Sequence, residues 1–464
     1  MKKILLIFFC FIEFFIIGEW LFFEISSQII DKTIVWLLQI QLLVIYILVF
    51  YTSKKYITPK WTSLYNIFLF VLMIFLYYRI FASLFIDDIN FYQYQYLSNI
   101  YLNYSQQVEL LLVLAFSINS LHLGAFLSFI IQNKKNYNNL HYNISMKKMG
   151  LLLFAMGLPG AIYKNYLYII FVKSNGYLAL YAGSINLTIP FWSNISGALF
   201  IIGLIFTFAS LPSKKTVLTV IFIYLSINLM SLFIGNRGAF IVKLLFVVWY
   251  YYRFYTNKDI NILKIFFIGL GMVIIMARLA YSRMNLIAEN IDFYDLILNF
   301  FNQSGVSLGV LANQIFYKNI FINSGLPYIL NPFIAPYVPS IQSPERIKET
   351  LSLADHLTYF LDSSRYFAGV GFGNSYIGEL YDIGFLGVLF GSFILGYFLI
   401  YFSLKVSNNI LFLLMSYYIV TCVVWMPRGS FFPAINTMLI VIAFYYILVF
   451  FKIIKSKNQE RTKI

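Results

Sequence analysis

The chain has 464 residues, 61% of them hydrophobic and only 11% charged, with a mean hydropathy of +0.80 and a formal net charge of +15. A water-soluble globule of this size needs a polar shell that such a composition lacks, so a string of soluble domains is excluded and the surplus apolar surface must face lipid. The positive charge is dispersed among many short loops, which argues against nucleic acid as a partner.

Apolar runs of roughly 20 residues, enough to cross ~30 Å of hydrocarbon, recur from one end of the chain to the other. Each is expected to be a helix, because lipid offers open backbone no partner. In chain order the spans are expected near 4–24, 33–53, 62–86, 108–131, 149–171, 190–210, 216–234, 238–255, 262–281, 380–403, 409–426 and 433–451. The first begins at Lys2-Lys3 and lacks a small-residue cleavage site, so a retained helix is expected rather than a removed signal peptide. Cys10 and Cys422 fall in different spans at different depths, and neither a disulfide nor a metal pair is expected of them. The expected fold class is therefore all-α: one polytopic membrane domain over 1–464 with about twelve transmembrane helices.

The lysines orient it. Lys2-Lys3, Lys54-Lys55-Lys60, Lys134-Lys135 with Lys147-Lys148, Lys214-Lys215, Lys258-Lys264 and Lys452 through Lys463 all fall on one side of this layout. The positive-inside rule makes that side cytoplasmic, with both termini there. Arginines and acids sort the other way. Arg79, Arg237, Arg278, Arg283, Arg346, Arg365 and Arg428 lie in outer loops or spans, and among the acids only Asp259 and Glu460 are cytoplasmic. Arginine binds phosphate and carboxylate with a planar fork and keeps its charge when partly desolvated. The outer face therefore suggests a phosphate-bearing ligand near a carboxylate; the plainer alternative is interfacial salt bridges among these residues.

One outer loop is long, from about 282 to 378, and loops of that length usually carry function or structure of their own. Its first part, 292–317, reads as an interfacial or re-entrant helix. Prolines 327, 332, 336, 339 and 344 suggest an extended, helix-free connector. Residues 345–360 then read as an amphipathic helix on the membrane surface carrying Asp355 and His356, the one histidine of the outer side. No metal-ligand spacing accompanies it, so no metal is expected. Two stretches resemble motifs. Gly235-Asn236-Arg237-Gly238-Ala239-Phe240 forms a tight outer turn that exposes Arg237, and Arg428-Gly429 repeats the Arg-Gly pair at the turn after the eleventh span. The second is FAGVGFGNSYIGELYDIGFLG over 367–387, with Glu379 and Asp382 expected on one helix face. No strand precedes its glycines, so dinucleotide binding is rejected. Ionisable residues in mid-span are few (Glu13, Arg79, Lys164, Lys243), which disfavours a transporter such as a flippase.

The layout, the GNRGAF turn, the long late loop and the GNSYIGELYDIGFLG stretch resemble the O-antigen polysaccharide polymerase (Wzy) family, also called oligosaccharide repeat-unit polymerases. The architectural likeness covers nearly the whole chain. The likeness of segments covers 231–240, the region of Gly176-Tyr177 to Tyr181, and 352–390. It implies a glycosyltransferase with a GT-C-like helical bundle, without nucleotide sugar or other cofactor. Such an enzyme joins repeat units carried on undecaprenyl diphosphate at the outer face of the bacterial inner membrane. Flippase and chain-length regulator partners are expected alongside the lipid-linked donor and acceptor. A ligase using the same donor is the alternative that the sequence barely separates from it. For this chemistry Arg237 is the first expected diphosphate ligand, followed by Arg365, Arg428, Arg278 and Arg283, because a diphosphate leaving group needs cations where charge develops. His356, Asp355 and Glu379 compete as the base that takes the acceptor's proton. The family pattern favours a structural or binding role for Glu379, which leaves His356 and Asp355 ahead of it for catalysis.

Overall fold

Runs of Leu, Ile, Phe and Val satisfy their backbone only by closing it on itself, and the computed structural model is helical from its second residue onward. It describes residues 2–25, 30–86, 90–92, 99–132, 143–182, 187–261, 271, 274, 304–322, 325–339, 341–432 and 435–453. The first half holds α1 (Lys2–Ile25), α2 (Lys32–Ile57), α3 (Leu64–Ala82), α4 (Tyr104–Gln132), α5 (Ile144–Asn175), α6 (Phe191–Ala209), α7 (Lys214–Ile234) and α8 (Arg237–Phe254). The second half holds α9 (Val306–Phe316), α10 (Pro344–Glu349), α11 (Leu353–Leu361), α12 (Ser363–Phe367), α13 (Tyr376–Tyr381), α14 (Phe385–Lys405), α15 (Ile410–Trp425) and α16 (Ile435–Phe450).

Among the described residues, eight helices are long and apolar enough to cross a membrane: α1 to α4, α6, α7, α14 and α15. The protein is all-α and polytopic. Helices α5, α8 and α16 stand where the fifth, eighth and twelfth spans are expected but do not meet that criterion. Lys147, Lys148, Lys164 and Lys173 dilute α5; α8 carries Arg237, Lys243 and Arg253; and α16 has only 16 residues, whereas α15 continues through a 3-10 turn to Arg428 and reaches 19. The expected ninth span, 262–281, lies outside the described residues apart from isolated positions.

The bundle is built around α4, the most buried of the long helices. Close approach to α14 is made by small residues: a Cβ on Gly124 would collide with the Phe393 carbonyl, and one on Gly396 with the Leu121 carbonyl. Helices α5 and α6 pack in the same way through Gly150, Gly157, Gly160 and Gly203. Pro159 lacks the N–H that would bond the Ala155 carbonyl, and α6 lends hydrogen bonds to the adjoining backbone. Ser196 Oγ donates to the Met156 carbonyl at 3.2 Å and accepts from the Gly160 N–H at 3.2 Å. Two buried ionisable side chains inside the bundle are likewise held by hydrogen bonds. The Glu13 carboxylate accepts from Asn119 and Ser120, and His122 lies between Thr52 Oγ1 (2.8 Å) and the Tyr65 hydroxyl (3.0 Å).

The long loop folds into the bundle rather than lying on the membrane surface. Helix α9 has 11 residues, about 16 Å at 1.5 Å per residue, too short to span a bilayer. Ten of its residues, Val306 through Ile315, are buried in protein, as in a re-entrant segment. The proline-rich stretch is not helix-free. Tyr328–Leu330, Asn331–Ile334 and Ala335–Tyr337 form successive short helical turns, with Pro332 and Pro336 at first-turn positions where a missing N–H costs nothing. The expected single helix over 345–360 is two, α10 and α11, broken at Thr350–Ser352. Ser343 Oγ caps α10, and Ser352 Oγ caps α11 by accepting the Asp355 N–H. Leu353 and Leu357 bury their side chains against Val306, Val310, Phe321 and Phe372. The face read as lipid-seeking is a small core.

Candidate functional site

The two Arg-Gly turns meet at one indole. Helix α7 ends at Gly235, whose φ of +93° suits glycine, and the Asn236 N–H closes the turn on the Ser231 carbonyl at 2.9 Å. Asn236 then caps α8, its Oδ1 accepting the Ala239 N–H at 3.3 Å. Two residues thus reverse the chain and place Arg237 at the first position of α8. A Cβ on Gly238 or on Gly429 would overlap the ring of Trp425, so the glycines of both pairs are required by the same side chain.

Between these turns lies a cavity of about 780 Å³. Its wall takes Asn236, Ala239 and Lys243 from α8, and Tyr418, Thr421, Cys422 and Trp425 from one face of α15. Gly373 and Asn374, together with Arg428 and Ser430, complete it. Lys243 lies six residues into α8 from Arg237, about 9 Å down its axis at 1.5 Å per residue, so the cavity reaches well below the turn. Lys243 Nζ donates to Asn228 Oδ1 at 2.5 Å, and among the described residues no carboxylate forms an ion pair with it. The Arg428 guanidinium stands 5.8 Å from the Phe75 ring centroid and 5.9 Å from that of Trp425, contacts that help to orient it. The described lining thus holds two cations and no acid, an arrangement that favours an anion.

Glu379 is the buttress behind this wall. It is fully buried in α13, outside the candidate spans. One carboxylate oxygen accepts from Asn374 Nδ2 at 2.7 Å, and the other from the Phe431 N–H at 2.8 Å. Asn374 Nδ2 also reaches Ser430 Oγ at 3.3 Å. Burial pushes the Glu379 carboxyl up to about 7 against the lowering effect of these donors. Its side chain does not line the cavity, but Asn374 and Ser430 do.

The other expected site residues are dispersed. Asp355 is buried and bound to Arg346, at 3.1 Å to Nε and 2.8 Å to the terminal nitrogen. His356 Nδ1 lies 3.2 Å from the Tyr328 hydroxyl and Nε2 lies 3.3 Å from the Ile347 carbonyl; burial holds its pKa below the usual imidazole value. On α11 it is Ala354 that lines the cavity, and two residues further along a helix points roughly the opposite way. Arg365 forms an ion pair with Asp362 at 3.3 Å. Arg237 is half-buried at the rim, between Asn236, which lines the cavity, and Gly238, which packs on Trp425, and its side chain is not part of the lining. Asp382, three residues beyond Glu379, is the C-terminal cap position of α13 and accepts the Tyr328 N–H at 3.1 Å. Arg278 and Arg283 lie outside the described residues. Among the described residues no group of three His, Cys, Asp or Glu stands close enough to hold a metal ion.

The cavity also contains residues that the sequence does not single out for it. Asn374, Asn236 and Ser430 are ordinary polar residues until the chain closes, and Lys243 reads only as a stray charge in a span. A signal existed in the Gly-Asn pairs at Gly235-Asn236 and Gly373-Asn374, both of which supply an asparagine to the wall. The segment after α5 meets the long loop instead. A Cβ on Gly369 would collide with residues 178–182, and Ala182 pairs with Gln342 in an isolated parallel bridge.

A family model for the O-antigen polysaccharide polymerase Wzy matches residues 4–459. No curated protein and no solved structure matches the chain. The chain belongs to the O-antigen polysaccharide polymerase Wzy family and is a multi-pass membrane protein; membership implies polymerisation of O-antigen repeat units supplied on a lipid carrier.

Proposed function

With that membership as premise, we propose that the protein transfers a growing glycan from undecaprenyl diphosphate to the next lipid-linked repeat unit, at the outer face of the inner membrane, within a GT-C-like bundle of about twelve spans. The reading rests on the Arg428–Lys243 cavity, which presents two cations and no carboxylate in its described lining. In this reading the anomeric C–O bond to the diphosphate breaks while the acceptor hydroxyl oxygen bonds to the same carbon, and the acceptor's proton passes to the departing diphosphate. The negative charge that develops on the leaving diphosphate is met by Arg428 and Lys243, already in place and partly desolvated. Arg237 at the rim supplies a further cation as the headgroup enters. Trp425 and Tyr418 give the sugar or the first isoprene an apolar wall.

Glu379 acts as a positioning residue through Asn374 and Ser430. His356 and Asp355 hold the loop together, and their roles follow from the Tyr328 and Arg346 contacts rather than from proximity to the cavity. The test is reconstitution: purified protein with a synthetic diphosphate-linked repeat unit extends it, and Arg428→Ala lowers extension by about a hundredfold, the usual scale for one removed electrostatic donor. Glycan analysis of a deletion strain separates polymerase from ligase, since loss of polymerisation leaves single units and loss of ligation leaves long polymer on the carrier.

A further inference from the structure

A second cavity, of about 630 Å³, lies between α2 and α3, away from the candidate site. Its walls are the apolar side chains of Tyr46, Phe50, Phe70, Met73 and Phe81, and Lys54 and Lys55 close one end beside Trp61. Ile47 and Tyr51 on its rim are 57% and 54% exposed, so it opens sideways, where lipid surrounds the bundle. Both helices widen into π turns beside it, at Ser53–Ile57 and Met73–Tyr77, a local departure common at functional positions. Lys54 Nζ stands 4.3 Å from the Trp61 ring centroid and 2.9 Å from the Asp259 carboxylate. Lys55 is exposed and donates to the Tyr51 hydroxyl at 2.7 Å.

We propose that this groove is a binding site for an anionic phospholipid, an acyl chain lying along the aromatic wall and the phosphate meeting Lys54 and Lys55. The chemistry selects this occupant. An apolar groove open to the bilayer is filled by a chain, and a pair of cations at one end, in a basic loop region, prefers a negative headgroup to a zwitterionic one. Trp61 beside Lys54 provides the amphipathic surface that suits the headgroup level. Asp259 moderates the site, because its carboxylate already takes part of the Lys54 charge. The site is independent of the proposed reaction.

Native mass spectrometry of the purified full chain, titrated with phosphatidylglycerol or phosphatidylethanolamine, tests it. Phosphatidylglycerol binds more tightly by about fivefold for each lysine that meets the headgroup. Lys55→Gln removes one such factor, and Met73→Trp, which fills the groove, weakens both lipids. Asp259→Asn, whose side-chain oxygen still accepts the Trp61 N–H, frees Lys54 and tightens phosphatidylglycerol, a gain that misfolding cannot imitate. Equal affinity for the two lipids, or no gain in Asp259→Asn, overturns the proposal. So does displacement of the lipid by inorganic phosphate, or crosslinking of Ile47→Cys to a second copy of the chain across the groove.

Discussion

The Glu379 carboxylate accepts the backbone N–H of Phe431 at 2.8 Å, and so ties α13 to the turn that carries Arg428. Burial raises the pKa of this group from 4.5 to about 7, so the folded protein keeps a proton that the unfolded chain gives up across that interval. The resulting stabilisation is complete below the unfolded pKa and is lost as pH rises through the folded one, a change on the order of 3 kcal/mol. Glu379→Gln removes the titration. Thermal unfolding in detergent at about pH 5 and about pH 8 should show the wild-type midpoint falling more steeply than that of Glu379→Gln. Parallel profiles would count against a buried, titrating Glu379.

Gly238 and Gly429 leave space for the Trp425 indole, so a side chain at either position must displace it. Gly238→Val is expected to cost about 1–3 kcal/mol through overpacking. Trp425→Leu should recover part of that loss in the double variant, which a double-mutant cycle on thermal stability measures. Additive losses would mean that the two turns do not share this side chain.

Asp355 and His356 hold the loop helices in place. Asp355→Ala leaves half-buried Arg346 without its carboxylate and should cost about 3 kcal/mol. His356 is kept neutral by burial, so its contribution is present above its ordinary pKa of 6.5 and is lost as pH falls below it. His356→Asn should therefore flatten the acid side of the stability profile while repeat-unit extension stays within about threefold of wild type, since substitutions away from the reacting groups have small effects. Loss of extension at unchanged stability would make His356 the base after all.

Apolar length is a local property, so the order of the helices is legible in the sequence, and so is the turn at Gly235-Asn236, where each residue serves its own backbone. The loop is less legible. The spacing of Leu353 and Leu357 shows that one face is apolar but not what covers it, and the partners are Val306 and Val310 rather than lipid. Prolines 332 and 336 read as helix breakers, yet at first-turn positions they start helical turns. The site needs contacts that no spacing encodes. Asn374, Lys243 and Arg428 come from three distant segments, and the Arg-Gly repeat acquires its meaning only from Trp425. Charge sorting by residue type identifies arginine as the residue to follow, without distinguishing cavity-lining Arg428 from Arg365, which pairs with its neighbour Asp362.

The central claim is that Arg428 and Lys243 receive the diphosphate of the donor. Steady-state extension of a synthetic diphosphate-linked repeat unit by reconstituted protein measures it, with Arg428→Ala, Arg428→Lys and Lys243→Met compared at equal folded fraction. The account predicts kcat losses of about a hundredfold for Arg428→Ala and for Lys243→Met, with partial rescue in Arg428→Lys, because these cations stabilise charge that appears only as the bond breaks. Wild-type extension by both Arg428→Ala and Lys243→Met would contradict it.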